Sequence, residues 1–419
     1  MSLPLISIAA FAVALLLSCF TPVNVGLISV AFAFVVGVGF GDMAPRDVAA
    51  GFPSGLFLIL VGVTLFFSQA NANGTLDRIA RTSVRLARGN PGWIPVVLFA
   101  LASVLASIGA GNIAATAMLA PIAMRVAAQA RISAFLMTVM VATGANCGAL
   151  SPFAPTGIIA NGLMERIGIT GAAFSTFFTN FVAEAFVGLG GYLLLGGGKL
   201  IARGGEASLA EDISLPPLVW QQKLTLLLIA AWIVGVLVFG MDVGMGAFVA
   251  AAILTLSRAA DEEQAIRGLP WGTILMVSGV TVLIALLEET GGMDLFTEIL
   301  ARVSTPTNVT GVIAFVTGLI SVYSSSSGVV LPAFLPTIPG LIENLGGGDP
   351  LAVAASINVG SHLVDVSPLS TLGALCMASA PPTENRTALF NKLLVWGLSM
   401  SVVGALVCYL FFGVLGLAG

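Results

Sequence analysis

Apolar residues in this chain come in long blocks rather than in alternation, and short polar or glycine-rich joints separate the blocks. Many blocks approach the ~20 residues that a helix needs to cross a bilayer. Strands of an outer-membrane barrel would instead alternate polar and apolar positions. The first half offers spans at 3–20, 24–40, 51–70, 132–146 continued by 153–165, and 175–201. The second half offers 222–240, 242–257, 270–288, 350–362 continued by 369–379, and 388–416. The pattern predicts an all-α polytopic membrane protein. The first block, Leu3 to Phe20, has no basic stretch before it and exceeds the length of a cleaved leader's apolar region, so it reads as the first spanning helix.

Two further blocks do not fit a single crossing. Residues 92–128 and 308–344 each read as two short helices around a small, polar centre, "GAGN" in one and "SSSSG" in the other. Both are expected to be re-entrant hairpins. Non-helical backbone at that depth persists only where protein or a wet cavity covers it.

Composition removes the soluble alternative. Of 419 residues 58% are apolar and only 9% charged, whereas soluble domains carry about 25% charge. Cys19, Cys147, Cys376 and Cys408 lack CxxC spacing and read as buried apolar thiols rather than metal ligands or disulfides. The 49 glycines permit close helix approach and local unwinding.

The blocks also repeat. Residues 51–77 set against 268–294, an offset of 217, give nine identities in 27 positions. Gly62-Val63-Thr64 meets Gly279-Val280-Thr281, and Val25-Gly26 recurs as Val243-Gly244. Pro121 and Pro336 align the hairpins and set Asn112 opposite Ser327. Ser151-Pro152 and Ser367-Pro368 align the broken spans, with Gly157 opposite Gly373. Residues 1–203 are thus one copy, 204–221 a cytoplasmic linker and 222–419 the second copy. Their scaffold spans are 3–70 and 222–288, their hairpins 92–128 and 308–344. Their broken helices are 132–165 and 350–379, their closing spans 175–201 and 388–416. Five crossings per copy is an odd number, so the second copy is expected to be inverted. Inverted repeats mark secondary transporters, whose sites lie at mid-membrane between the copies.

Charge orients the chain. With "DRIARTSVRLARG" (77–89) cytoplasmic, thirteen basic residues (Arg78, Arg81, Arg85, Arg88, Arg125, Arg131, Lys199, Arg203, Lys223, Arg258, Arg267, Arg386, Lys392) face inward. Only Arg46, Arg166 and Arg302 face outward. That distribution obeys the positive-inside rule and puts both termini outside the plasma membrane. The segment 77–89 reads as an interfacial helix rather than a nucleic-acid or lipid patch.

By pseudo-symmetry the hairpin tips and broken spans converge on one midplane region. Its polar inventory is Asn112, Thr116, Asn146, Ser151, Thr156, Ser324 to Ser327, His362, Asp365, Ser367, Ser370 and Thr371. No Lys or Arg is among them. An anion here would be held by helix N-termini, hydroxyls, amides and co-bound cations. In "GSHLVDVSPLSTLG" Gly360 and Pro368 permit a break, with Ser367, Ser370 and Thr371 capping the second half-helix. Asp365 is placed to dock a cation, although it could instead cap that half-helix, and His362 could merely bond a carbonyl. Glu184 is expected nearer the outer end of a tilted span than the site.

The tip "GNIAATAMLAPI", 111–122, resembles the Ser-Asn-Thr hairpin motif of divalent anion:sodium symporters in the ion-transporter superfamily. The N-terminal half and "DVSPLSTLGA" are most similar to MatC-type malonate/dicarboxylate carriers. The resemblance implies a homodimeric elevator in a bacterial inner membrane, with Asn112 on a substrate carboxylate. It implies one cation site of Gly111, Asn112, Asn146 and Gly148, and another of Ser326, Ser327, Gly360 and Asp365. Substrate contacts would be Asn112, Thr156, Ser326, Ser327, Gly328, His362, Ser370 and Thr371. Gly111 and Ile113 depart from the motif's Ser and Thr, and the second tip has no amide. Two readings follow. One is import of malonate or a C4 dicarboxylate by cation symport, Na⁺ ahead of H⁺; the other is a Na⁺/H⁺ antiporter or arsenite-type exporter. No HExxH, carboxylate pair or nucleophile–base set points to an enzyme, and no cofactor is expected beyond the coupling ion.

Overall fold

The structure, a computed structural model, describes residues 2–21, 23–84, 90–202 and 217–417. Arg85, Arg88, Arg203 and residues 204–216 of the expected linker lie outside the described residues.

The first half folds as α1 (Leu3–Phe20), α2 (Val25–Phe40), α3 (Pro45–Ala50), α4 (Ser54–Ala72), α5 (Thr75–Val84), α6 (Trp93–Leu105), α7 (Gly111–Gln129), α8 (Ala134–Ala149), α9 (Pro155–Arg166), α10 (Ala173–Leu194) and α11 (Gly197–Ala202). The second half folds as α12 (Trp220–Phe239), α13 (Val243–Leu256), α14 (Glu262–Arg267), α15 (Trp271–Glu289), α16 (Gly292–Arg302), α17 (Val309–Ser321), α18 (Leu331–Phe334), α19 (Ile338–Leu345), α20 (Pro350–Leu363), α21 (Thr371–Ala378) and α22 (Arg386–Cys408). Among the described residues, seven helical stretches have the length and apolarity to cross a membrane, and five shorter apolar helices accompany them. Helices do so because a backbone in lipid must satisfy its own hydrogen bonds. α12 and α22 present Leu227, Leu237, Phe239, Val395 and Val402 outward, as lipid-facing helices do.

The two halves are built alike where they meet. α2 packs on α15, and α4 packs on α13. A Cβ on Gly279 would fall 2.1 Å from the Gly26 carbonyl oxygen, and one on Gly62 would fall 2.6 Å from that of Gly244. Small residues at a crossing let the backbones touch. The helix starts match as well: Asn24 accepts from the Gly26 N–H, and Asp242 accepts from the Met245 N–H.

Both expected hairpins are interrupted at their polar centres. The stretch Trp93–Gln129 is continuous in length, but Gly109 (φ 120) and Gly111 (φ 78) turn the chain, and α6 and α7 pack on each other. Those dihedrals suit glycine and strain other residues. In the second hairpin α17 ends before Ser324 to Ser327, and the returning arm is broken into short pieces around Pro332, Pro336 and Pro339. In the spans read as broken, α8 yields to α9 and α20 to α21 across turns that contain Pro152 and Pro368. Cys147, Cys376 and Cys408 are buried; Cys19, expected to be buried, is only half-buried.

Candidate functional site

In each half, the break in the spanning helix lies against the hairpin tip through backbone contacts. Gly144 of α8 touches the Phe99 carbonyl of α6, where a Cβ would sit 2.4 Å from that oxygen. Gly360 of α20 touches Ala314 of α17 in the same way, a Cβ there lying 2.6 Å from its carbonyl oxygen. The Ser151 hydroxyl donates to the Ser107 carbonyl at 2.7 Å, and the Ser367 hydroxyl donates to the Val322 carbonyl at 3.3 Å. Gly157 and Gly373 lie over the carbonyls of Ser151 and Ser367, leaving 2.0 and 2.1 Å to a built Cβ. Each tip also leans a glycine on a neighbouring scaffold helix: Gly109 on Phe67 of α4, and Gly328 on Met276 of α15.

The side chains at the two tips differ. At the first, the Asn112 amide donates to Asn146 Oδ1 at 2.9 Å and its own oxygen accepts the Ile113 N–H. Asn146 Nδ2 then donates to the His362 carbonyl at 2.8 Å, tying the two broken spans together. At the second, the Ser326 hydroxyl donates to Asp365 Oδ1 at 2.7 Å and lies 2.7 Å from the Ser321 hydroxyl and 3.0 Å from the Ser361 carbonyl. The Ser370 hydroxyl also donates to Asp365 Oδ1, at 3.1 Å. Asp365 is buried, and no salt bridge reaches it among the described residues.

Two spaces adjoin these groups. A cavity of about 490 Å³ lies between the first tip, α4 and α15, and holds Gly111, Asn112, Thr156 and Ser327. It runs toward the end of the molecule where α4 finishes and α15 begins, past Asn71, Leu76 and Gly268. A much smaller space, about 20 Å³, holds Asn112, Ser326, Ser327, His362, Asp365, Ser370 and Thr371. Asn112 and Ser327 border both, so the two tips share one chamber. Among the described residues neither wall contains Lys or Arg; His362 and Asp365 are their ionisable members. The starts of α7, α9 and α21 all reach these walls, and the first turn of a helix offers unpaired N–H groups and a partial positive charge.

Several expected residues sit elsewhere. Gly148 and Gly360 lie against hairpin backbone, Gly328 lies against Met276, and Thr116 is buried away from both spaces. Ser370 stands at the start of α21 without capping it, because its hydroxyl is turned to Asp365. Ser367 accepts the Leu369 N–H within the turn instead of capping the half-helix. The Asp365 side chain caps nothing; its carbonyl accepts the Gly373 N–H. His362 Nδ1 pairs with the Asn358 carbonyl at 2.7 Å, and Nε2 has no protein partner. Glu184 is not near an end: it is the middle of α10 and 1% exposed. Sequence reading passed over Thr64, Ser68 and Asn71 of α4 and Thr273 of α15 as cavity residues, although Thr64 stood in the repeated "GVT".

Residues 1–149 match the family described as dicarboxylate carrier protein MatC, N-terminus. The matched segment takes in the first hairpin, Asn112 and Asn146. Two solved structures share the fold along nearly the whole chain. One is the YdaH transporter of Alcanivorax borkumensis, with TM-score 0.59 and 16% identity over 100% of both chains. The other is MtrF of Neisseria gonorrhoeae, presented as illuminating a class of antimetabolite efflux pumps, with TM-score 0.59 and 12% identity over 99% of this chain and 95% of that one. No curated protein sequence matches the chain.

Proposed function

We propose that this protein is a secondary transporter that moves a small dicarboxylate, malonate or a C4 acid, together with cations. The observation that carries the reading is the shared chamber: among the described residues its mostly apolar walls carry a few hydroxyls and amides and no basic side chain, helix starts reach it, and its one acidic side chain, Asp365, bonds to the second tip. The first tip stands inside the segment matching the dicarboxylate carrier family. A cavity of about 490 Å³ lies in the range of small-molecule sites.

In this reading the diacid lies against the starts of α7 and α9, where Asn112 and Thr156 meet the cavity. Asn112 spends one amide N–H on Asn146 and keeps a second for a carboxylate oxygen. Ser326, Ser327, Ser370, Thr371 and His362 serve the second carboxylate. Na⁺ binds at Asp365 and the surrounding Ser326 hydroxyl and Ser361 carbonyl, and a second ion at the Asn112–Asn146 pair. With no basic side chain among the described wall residues, these ions supply the positive charge. Each charge crossing is worth about 2.3 kcal/mol per 100 mV, so two or more cations per dianion make import favourable.

The matched crossings of α2 on α15 and α4 on α13 support two inverted copies, with the tips and broken spans as the moving part of a homodimeric elevator in a bacterial inner membrane. The likeness to MtrF favours one second reading, export through the same chamber.

Purified protein in liposomes tests both. Labelled malonate or succinate is expected to enter only with an inward Na⁺ gradient or voltage, and monocarboxylates to compete weakly. Uptake that is indifferent to both gradient and voltage would refute coupling. Cation flux without any organic-acid binding would instead identify an antiporter, and accumulation in inverted vesicles alone would identify an exporter.

A further inference from the structure

Behind the chamber wall, α10 carries a carboxyl group that the proposed site does not use. Glu184 is 1% exposed, and neither of its oxygens has a hydrogen-bond partner. It sits between two fixed points along α8. One turn before it, Asn180 Nδ2 donates to the Asn146 carbonyl, and one turn after it Gly188 lies against Thr143. Asn180 Oδ1 and Thr143 Oγ1 are themselves buried without partners. Asn146 leads onward, accepting from Asn112 at the first tip and donating to the His362 carbonyl. A string of amides therefore runs from Asn180, one turn from Glu184, to the chamber.

The helices packed on α10 offer no positive charge to this group. α8 brings Cys147, and α20 brings His362 with Asp365 just past its end. Glu165, Arg166 and Lys199, on α9 and α11, are exposed at helix ends, as are Arg386 and Lys392 on α22, while Cys408 faces the Ser356 carbonyl. An ionised carboxylate buried without partners costs several kcal/mol. A protonated one costs far less, and its O–H could be accepted by the Asn180 oxygen one turn away on the same helix face. A metal ion is a poorer occupant, since no group of three His, Cys, Asp or Glu gathers anywhere among the described residues.

We propose that Glu184 is a proton-binding site of the transport cycle, loaded in the conformation described. The role in transport rests on the carrier reading above; proton binding itself does not. No bond is made or broken beyond the carboxyl O–H, the proton coming from and returning to water on either side.

Two measurements decide it. The first is infrared titration of the purified protein, following the protonated-carboxyl band of wild type, Glu184→Gln and Glu184→Asp. A band that titrates in wild type, vanishes in Glu184→Gln and moves in Glu184→Asp is expected. Spectra identical to wild type in the variants would overturn the proposal, whether or not any diacid is transported. The second records a pH dye inside liposomes during diacid entry at equal Na⁺. Glu184→Gln should keep diacid exchange within about twofold while the proton moved per diacid is lost. An unchanged proton-to-diacid ratio would overturn the coupling role. If wild type moves no diacid, the carrier reading falls and the titration alone judges Glu184.

Discussion

The two hairpin-and-break pairs share backbone contacts and differ in the chemistry they bring to the chamber. Gly144 on Phe99 corresponds to Gly360 on Ala314, Ser151 on Ser107 to Ser367 on Val322, and Gly157 to Gly373. Yet the first pair presents amides, Asn112 and Asn146, and the second presents hydroxyls around one carboxylate, Asp365. At the aligned positions Asn146 faces His362, and Ala149 faces Asp365. Contacts that hold the break together use glycine, serine and main chain, so they survive in both halves. Groups that would meet cargo in the proposed reading are free to diverge, and the divergence would give the pair an amide side for the diacid and an anionic side for the stronger cation site.

That division of labour predicts the largest effects. Asp365→Asn removes the only carboxylate lining the chamber among the described residues and the charge in its hydrogen bonds, each worth about 1.5–3 kcal/mol. Uptake should fall about 100-fold or more, since each 1.36 kcal/mol is tenfold, and the remainder should keep only the weaker Na⁺ dependence of the ion at the Asn112–Asn146 pair. Asn112→Ala should weaken the diacid about tenfold or more and, because it touches only the second ion, keep most of the Na⁺ dependence, while Ser327→Ala, at the aligned position, should cost about threefold, less than a single neutral hydrogen bond of ~1 kcal/mol. Uptake against Na⁺ and against diacid, measured separately, checks the split. Equal loss of Na⁺ dependence in Asp365→Asn and Asn112→Ala would merge the two sides into one.

Much of this layout was legible in the sequence because bilayer thickness and backbone satisfaction leave few choices. The spans fall within a few residues of the helices, and the polar centres at "GAGN" and "SSSSG" mark the real interruptions. Less legible were features that depend on which face a residue turns. Ser370 stands where a cap belongs, but a nearby carboxylate takes its hydroxyl. Glu184 was misplaced because the apolar run continues to residue 201, which put it off-centre. The helix in fact ends at Leu194, before Gly196 (φ 97), and this makes Glu184 its midpoint. A motif shows Gly360 only as a candidate ligand; its close packing on Ala314 and Gly318 emerges only in the folded chain.

Because the backbone contacts are shared, damaging them should hurt both halves alike. Gly157→Ala and Gly373→Ala each push a methyl to within about 2 Å of a carbonyl oxygen in the turn before the second half-helix. Main chain has to move, and overpacking of this kind costs about 1–3 kcal/mol. Thermal melts in detergent should show comparable losses for both variants. A large loss for Gly373→Ala beside none for Gly157→Ala would mean that only the second break is rigid, and the likeness between the halves would then be one of path rather than of packing.

The smallest effect is also the finest test of that likeness. Ser151→Ala and Ser367→Ala each remove one hydroxyl bridge between break and hairpin, a type of interaction averaging about 0.6 kcal/mol in membrane proteins. The bridges are not equal: 2.7 Å to the Ser107 carbonyl against 3.3 Å to that of Val322, the latter beyond the usual range for O–H donors. Ser151→Ala should therefore lower the melting temperature measurably, Ser367→Ala should lower it less, and uptake should stay within about twofold in both. Were Ser367→Ala the more damaging, the contribution of Ser367 would have to come from its second bond, the one it accepts from the Leu369 N–H at the break. The second break would then be held by its own turn more than by its hairpin, and freer to shift when a cation reaches Asp365.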